Sequence, residues 1–126
     1  MKDTIVEEIP ICTLDGYRYS LGPEYDGEAN WHAAKQWCES LGEGYELPSR
    51  TLMRAICMND ATRTLLTDHK FYWTGTEDDI DISRAWVQHW YSGPPGFQYI
   101  AKKSLAFKVR AVRRSKVIDN EHQYHR

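Results

Sequence analysis

Four carboxylates fall within five positions in Glu77-Asp78-Asp79-Ile80-Asp81, a density of oxygen donors that suits a hard cation. The spacing does not complete a known cation loop. Counted from Asp79, an EF-hand would place glycine sixth and glutamate twelfth, where this chain has Arg84 and Trp90. The stretch from Thr76 to Ser83 therefore reads as a solvated acidic loop, or as an acidic patch that docks a basic partner. Glu77, Asp78, Asp79 and Asp81 are its candidate partner-binding residues, and no metal or other cofactor is expected.

A second group is aromatic. Trp90, Tyr91, Phe97 and Tyr99 surround Ser92-Gly93-Pro94-Pro95-Gly96, whose glycines and prolines set a turn without regular hydrogen bonding. Such a run can be a plain connector, or a rigid loop whose aromatic residues anchor a protein partner. The third group is basic: Lys108, Arg110, Arg113, Arg114 and Lys116, the first two within a stretch, Ala106 to Val112, that alternates apolar and basic residues at period two. That pattern describes a half-buried strand with a basic solvent side, or a contact for phosphate or an acidic protein. His122 and His125 lie three apart in a polar tail that reads as a frayed terminus. GxSxG, P-loop, HExxH and GxGxxG patterns are absent, and His32, His69 and His89 have no partner implied by spacing, so an enzyme is not expected.

These groups need a framework, and the composition can supply one. The chain has 126 residues, of which 41% are hydrophobic, with five Trp, eight Tyr and three Phe, enough apolar area for one core. No run approaches the ~20 apolar residues that cross a bilayer. The start, Met1 to Glu8, carries acids where a signal peptide needs an apolar run, so a cytoplasmic location is expected. Cys12, Cys38 and Cys57 are odd in number, lack metal-binding spacing, and read as small buried hydrophobes in a reducing compartment. Net charge is −2, but residues 1–101 hold 8 Lys/Arg against 16 Asp/Glu, and residues 102–126 hold 8 against 2. The acidic majority would repel a phosphate backbone, which argues against nucleic acid as the partner.

The elements follow from spacing. Asp15-Gly16 between Ile9–Leu14 and Tyr17–Leu21 signals a hairpin with a primed turn, and Gly22 to Glu28 reads as a loop. Trp31, Ala34, Trp37, Cys38 and Leu41 mark a helix capped by Asn30 and ended by Gly42, with both indoles on its buried stripe. Leu52, Met53, Ile56 and Cys57 mark a second, capped by Ser49 and ending near Asn59-Asp60, with a short helical turn possible within Ala61 to Lys70. Phe71–Thr76, Ala85–Tyr91 and Ala106–Val112 read as strands. Strands, two helices, then strands predict an α+β domain with helices packed on an antiparallel sheet, over residues 1–116, with a polar tail over 117–126.

The succession Trp31 to Gly42, Glu46-Leu47-Pro48-Ser49, Tyr72 to Glu77, Ala85-Trp86-Val87 and Phe107 to Arg113 resembles the bacterial and phage C-type-lectin-like domains typified by the C-terminal domain of collagen-like adhesins. The likeness runs from about Asp15 to Arg114. It implies a C-type-lectin-like fold, related to that of formylglycine-generating enzymes, with function in irregular loops, here Glu77–Arg84 and Trp90–Lys103. The family's disulfide would join Cys38 to a last-strand cysteine, and Ala111 stands at that place. Tyr45-Glu46 replaces the family's Trp-Arg. The Glu-Pro-Asn, Gln-Pro-Asp and Trp-Asn-Asp motifs of calcium-dependent lectins are missing, as is the late cysteine pair of the formylglycine-generating enzymes. The expected function is a non-catalytic module that binds another protein inside a bacterial cell, such as a small phage or prophage effector acting on a host protein. A glycan-binding or virion-associated module is the alternative.

Overall fold

The computed structural model describes residues 8–91 and 96–117. The chain opens with β1 (Ile9–Leu14) and β2 (Tyr17–Glu24), joined at Asp15 and Gly16, both at positive φ (54° and 82°), as the primed turn demands. β2 outruns the loop expected from Gly22, because its far end pairs with β7 (Arg110–Lys116) through an irregularity between Leu21 and Glu24. α1 (Trp31–Ser40) is capped by Asn30, whose side chain accepts from the Ala33 amide. Of its two indoles only Trp31 is buried; Trp37 is half-exposed, edge-on to Tyr25. After the two-residue β3 (Tyr45–Glu46), Ser49 caps α2 (Arg50–Met58), which buries Leu52, Met53, Ile56 and Cys57. Asn59 ends α2 and caps α3 (Asp60–Arg63), the short turn anticipated nearby.

β4 (Lys70–Glu77), β5 (Arg84–Trp90) and β6 (Phe97–Lys102) form a separate three-stranded sheet, so there are two antiparallel sheets where one was expected. The other has the order β1-β2-β7-β3. β6 occupies ground read as irregular, and the last strand starts four residues later than predicted. Residues 106–109 instead cross to the α1 entrance and to β4, through bridges Ala29–Phe107 and Tyr72–Lys108.

The simple alternation expected in the last strand breaks at Ala111 and Val112, both fully buried. Consecutive strand residues face opposite ways, and β7 lies between two cores. Ala111 and Val109 join Trp31, Ala34, Cys38, Trp73 and Val87 on one side. Val112 joins Leu52, Met53, Ile56, Tyr72 and Trp90 on the other. β2 approaches β7 so closely that a Cβ at Gly22 would lie 2.9 Å from the Ala111 carbonyl oxygen, itself fixed by the strand. Gly22→Ala is therefore expected to cost about 2 kcal/mol through overpacking, read from the urea midpoint; an unchanged midpoint would show that the two strands have room to part.

Candidate functional site

Register divides the second sheet into two faces. Trp73, Val87 and Tyr99 oppose one another across the strands, as do Phe71, His89 and Phe97. At the β5 start this face is sealed by Trp73, Ala85 and Ala101 in the core. At the β5 end it opens into a run of rings: Phe71 lies 4.6 Å from His89, His89 4.9 Å from Phe97 and 5.5 Å from Tyr91, and Phe97 5.8 Å from Tyr99. Phe97 is 50% exposed, while its neighbours are half-buried and hold it in place. The His89 Nδ1 is buried and has no hydrogen-bond partner among the described residues.

This aromatic end unites three of the four aromatic residues singled out from sequence, Tyr91, Phe97 and Tyr99, but on a strand and its flank. Trp90 does not belong with them. It points to the opposite face and is 4% exposed, packed in the second core. The intervening Ser92–Pro95 lie outside the described residues, as do His122 and His125.

The opposite face is occupied by the chain itself. The Arg50 guanidinium stacks 3.4 Å above the Trp86 ring, its Nε–H donates to Gln98 Oε1, and Gln98 Nε2 donates to the Arg50 carbonyl and to Gln88 Oε1. No sequence signal joined residues 50, 86 and 98.

The acidic loop spans Asp78 to Ser83, between β4 and β5, and its carboxylates mostly turn to partners within the chain. Asp78 is buried and meets Arg84 at 3.0 Å. Glu77 pairs with Lys103, whose ammonium also lies 4.1 Å from the Trp31 ring centroid. Asp81 accepts from the Ser83 hydroxyl at 2.6 Å and the Ser83 amide at 3.0 Å. The Ser83 contacts hold the Asp81 carboxyl below the usual carboxylate range, and the Lys103 bond does the same for Glu77. Asp79 is exposed. Among the described residues no three His, Cys, Asp or Glu side chains gather as a metal site.

The basic residues do not form one surface. Lys108 and Arg110 converge on Glu24, at 3.1 and 3.5 Å, where the carboxylate also accepts from the Tyr72 hydroxyl at 3.0 Å. Burial pushes that phenol up to about 12. Sequence reasoning missed this cluster, because residues 24, 72, 108 and 110 are brought together only by strand pairing. Arg113 pairs with Glu8 at 2.5 Å, Arg114 stacks 4.6 Å from the Tyr17 ring centroid, and Lys116 is exposed. All three cysteines are free thiols, and burial raises Cys38 and Cys57 to about 12, far from the thiolate a nucleophile needs. Cys38 and Ala111 share one core.

A chain with these two sheets, these helices and the loops at the sheet's two ends has the C-type-lectin-like fold. No protein-family model matches it, and no curated protein matches it in sequence. Solved structures do match in shape. EMS16, an antagonist of the collagen receptor integrin α2β1, superposes with a TM-score of 0.58 at 11% identity, covering 81% of this chain and 94% of its own. Rhodocetin gives 0.52 at 14% identity, covering 82% and 96%. Convulxin, a snake venom toxin, gives 0.50 at 12% identity, covering 85% and 95%.

The Asp81 contacts make a direct prediction. A carboxyl held low in the folded state stabilises it above the unfolded value of about 4, and the contribution fades as pH falls through the folded value. Ser83→Ala should raise the Asp81 pKa toward the ordinary range and weaken that acid-side dependence, followed by carboxyl NMR titration. An unmoved titration would show that Ser83 does not hold the carboxylate.

Proposed function

We propose that this chain is a non-catalytic recognition module that binds another protein through the aromatic end of its three-stranded sheet. The observation that carries the reading is Phe97: half its surface is open to solvent, yet His89, Tyr91 and Tyr99 pack round it and pre-pay the entropy of holding it still. A large apolar ring held rigid at a surface is what interface anchors require. The raised thiol values of Cys38 and Cys57 support a role without cysteine catalysis. EMS16 shares the fold and antagonises a protein receptor, which supports protein as the partner class.

The finer reading rests on the sequence resemblance to bacterial and phage C-type-lectin-like domains and on the free thiols. It makes the chain an intracellular module, a small phage or prophage effector whose partner is a host protein.

The test uses the full chain as bait in bacterial lysate. One protein should be recovered in stoichiometric amount, and Phe97→Ala with Tyr99→Ala should weaken that complex by about 2 kcal/mol or more while melting changes little. Binding that survives both substitutions would refute the aromatic end as the site. Recovery of no protein, together with ring-dependent binding on a glycan array, would move the function to carbohydrate.

A further inference from the structure

A sheet that does not close on itself has edges, and an edge strand carries main-chain N–H and C=O groups without partners. Three of the four edges here are managed within the chain. β3 is two residues long, and β1 carries Pro10 with a bulge between Pro10 and Cys12. The outer edge of β4 is paired: the Trp73 amide donates to the Lys108 carbonyl at 3.0 Å, and the Lys108 amide to the Phe71 carbonyl at 2.9 Å. β6 is the exception. It pairs with β5 alone, in unbroken register from Phe97 to Lys102, with no proline and no bulge. Hydrogen bonding fixes which of its groups face outward, because opposed residues in an antiparallel pair alternate between exchanging main-chain bonds and turning them away. The Lys103 amide donates to the Ser83 carbonyl at 2.9 Å, so Ala101, Tyr99 and Phe97 face β5, opposite Ala85, Val87 and His89. The β4 bonds agree: Phe71 and Trp73 turn outward there, so Tyr72 faces Gln88, which leaves Val87 and His89 to face β6. Gln98 and Ile100 therefore point both N–H and C=O away from the sheet, and among the described residues no main chain meets them. Lys102 adds its N–H, its carbonyl already accepting from the Leu105 amide at 3.1 Å.

We infer that an extended segment of the bound protein adds to β6 as a fourth strand of this sheet. The inference rests on the aromatic end as the binding site, since β6 itself carries Phe97 and Tyr99. Outward donor–acceptor pairs that recur every second residue, roughly 6.6 Å apart at ~3.3 Å per residue, match an extended backbone, whereas a helix has already spent its main-chain groups on itself. Side chains set what the segment carries. On the aromatic face its alternate residues lie beside Phe97 and Tyr99 and are apolar. On the other face β6 presents Gln98, Ile100 and Lys102, next to Trp86 with the Arg50 guanidinium stacked on it. Neither Arg50 nor Lys102 has a carboxylate within ion-pair distance among the described residues, so an Asp or Glu of the segment belongs there. The same two cations disfavour a second copy as the occupant. Antiparallel pairing of β6 with itself about Ile100 sets Lys102 of each copy opposite Gln98 of the other, whose Oε1 accepts from Arg50 at 3.0 Å, and so gathers like charges on one face.

Peptides selected from a random library displayed on phage, with the immobilised full chain as target, serve as the probe. The expected class has apolar residues at alternate positions with Asp or Glu between them. On saturation with such a peptide, exchange of the Gln98 and Ile100 amide protons, followed by NMR, should slow at least about tenfold, while the Tyr99 and Ala101 amides, which face β5, change little. Ile100→Pro removes one outward N–H where an edge strand tolerates proline, and should weaken binding at least about tenfold; Lys102→Glu should weaken it measurably. The exchange measurement uses the wild-type chain, so it decides the matter even if I100P does not fold. F97A/Y99A should weaken the same peptides, as the aromatic end requires. Peptides that F97A/Y99A weakens, but that leave both amides exchanging freely and tolerate I100P, would overturn strand addition while the aromatic end stands. Peptides indifferent to F97A/Y99A would overturn both. Slow exchange at both amides in the chain alone, lost on dilution, would give the edge to a second copy and overturn the proposal.

Discussion

The entrance to α1 is where the two halves of the molecule are tied, and two indoles tie it. Trp31 Nε1 donates to the Thr74 carbonyl in β4 at 2.9 Å, and Trp73 Nε1 donates back to the Ala29 carbonyl at 2.9 Å. The same short segment exchanges main-chain bonds with Phe107 in both directions, and the Trp31 amide donates to the Lys103 carbonyl at 3.0 Å. Helix, central sheet and the turn beyond β6 therefore meet at residues 29–31. Burying each ring is worth about 4 to 6 kcal/mol in gross transfer, against about 1 kcal/mol net for each hydrogen bond. Burial supplies the energy, while the bonds decide which way each ring points and so set the helix on the sheet.

With that joint made, the rest of the chain follows from strands packed too tightly for alternatives. β7 has a core on each side, Ala111 toward Trp73 and Val112 toward Tyr72, and Gly22 lets β2 come close against it. The three-stranded sheet is sealed at its middle and open at its ends. One end presents rings, of which Phe71 and Tyr99 also pack against the first core, and the other presents isoleucines that belong to neither core. Recognition at the ring end needs no moving part, because the packed middle has already fixed the geometry.

What could be read in the sequence was local. The Asp15-Gly16 turn and the Asn30 and Ser49 caps depend on neighbours within three residues, and each formed as the spacing required. The fold class followed from the order of elements. β6 was missed because Pro and Gly precede it and its identity rests on pairing with β5, eight to eighteen residues away. Trp90 was misplaced for a related reason: its chemistry suits an interface or a core equally, and only strand register assigns its face. The cluster at Glu24 and the exposure of Ile80 and Ile82 carry no local signature. In the acidic loop the carboxylates drew attention by density, while most of them serve to hold the turn.

Hydrogen exchange at the indole N–H groups of Trp31 and Trp73, followed by NMR in the native protein, reports most directly on the joint. If those bonds hold the two halves together, both protons should exchange only through global unfolding, with protection equal to the slowest strand amides and well above that of the half-exposed Trp37 indole. Exchange of either proton as fast as the loop amides would mean that the helix separates from the sheet without unfolding, and the fixed end proposed for recognition would lose its foundation.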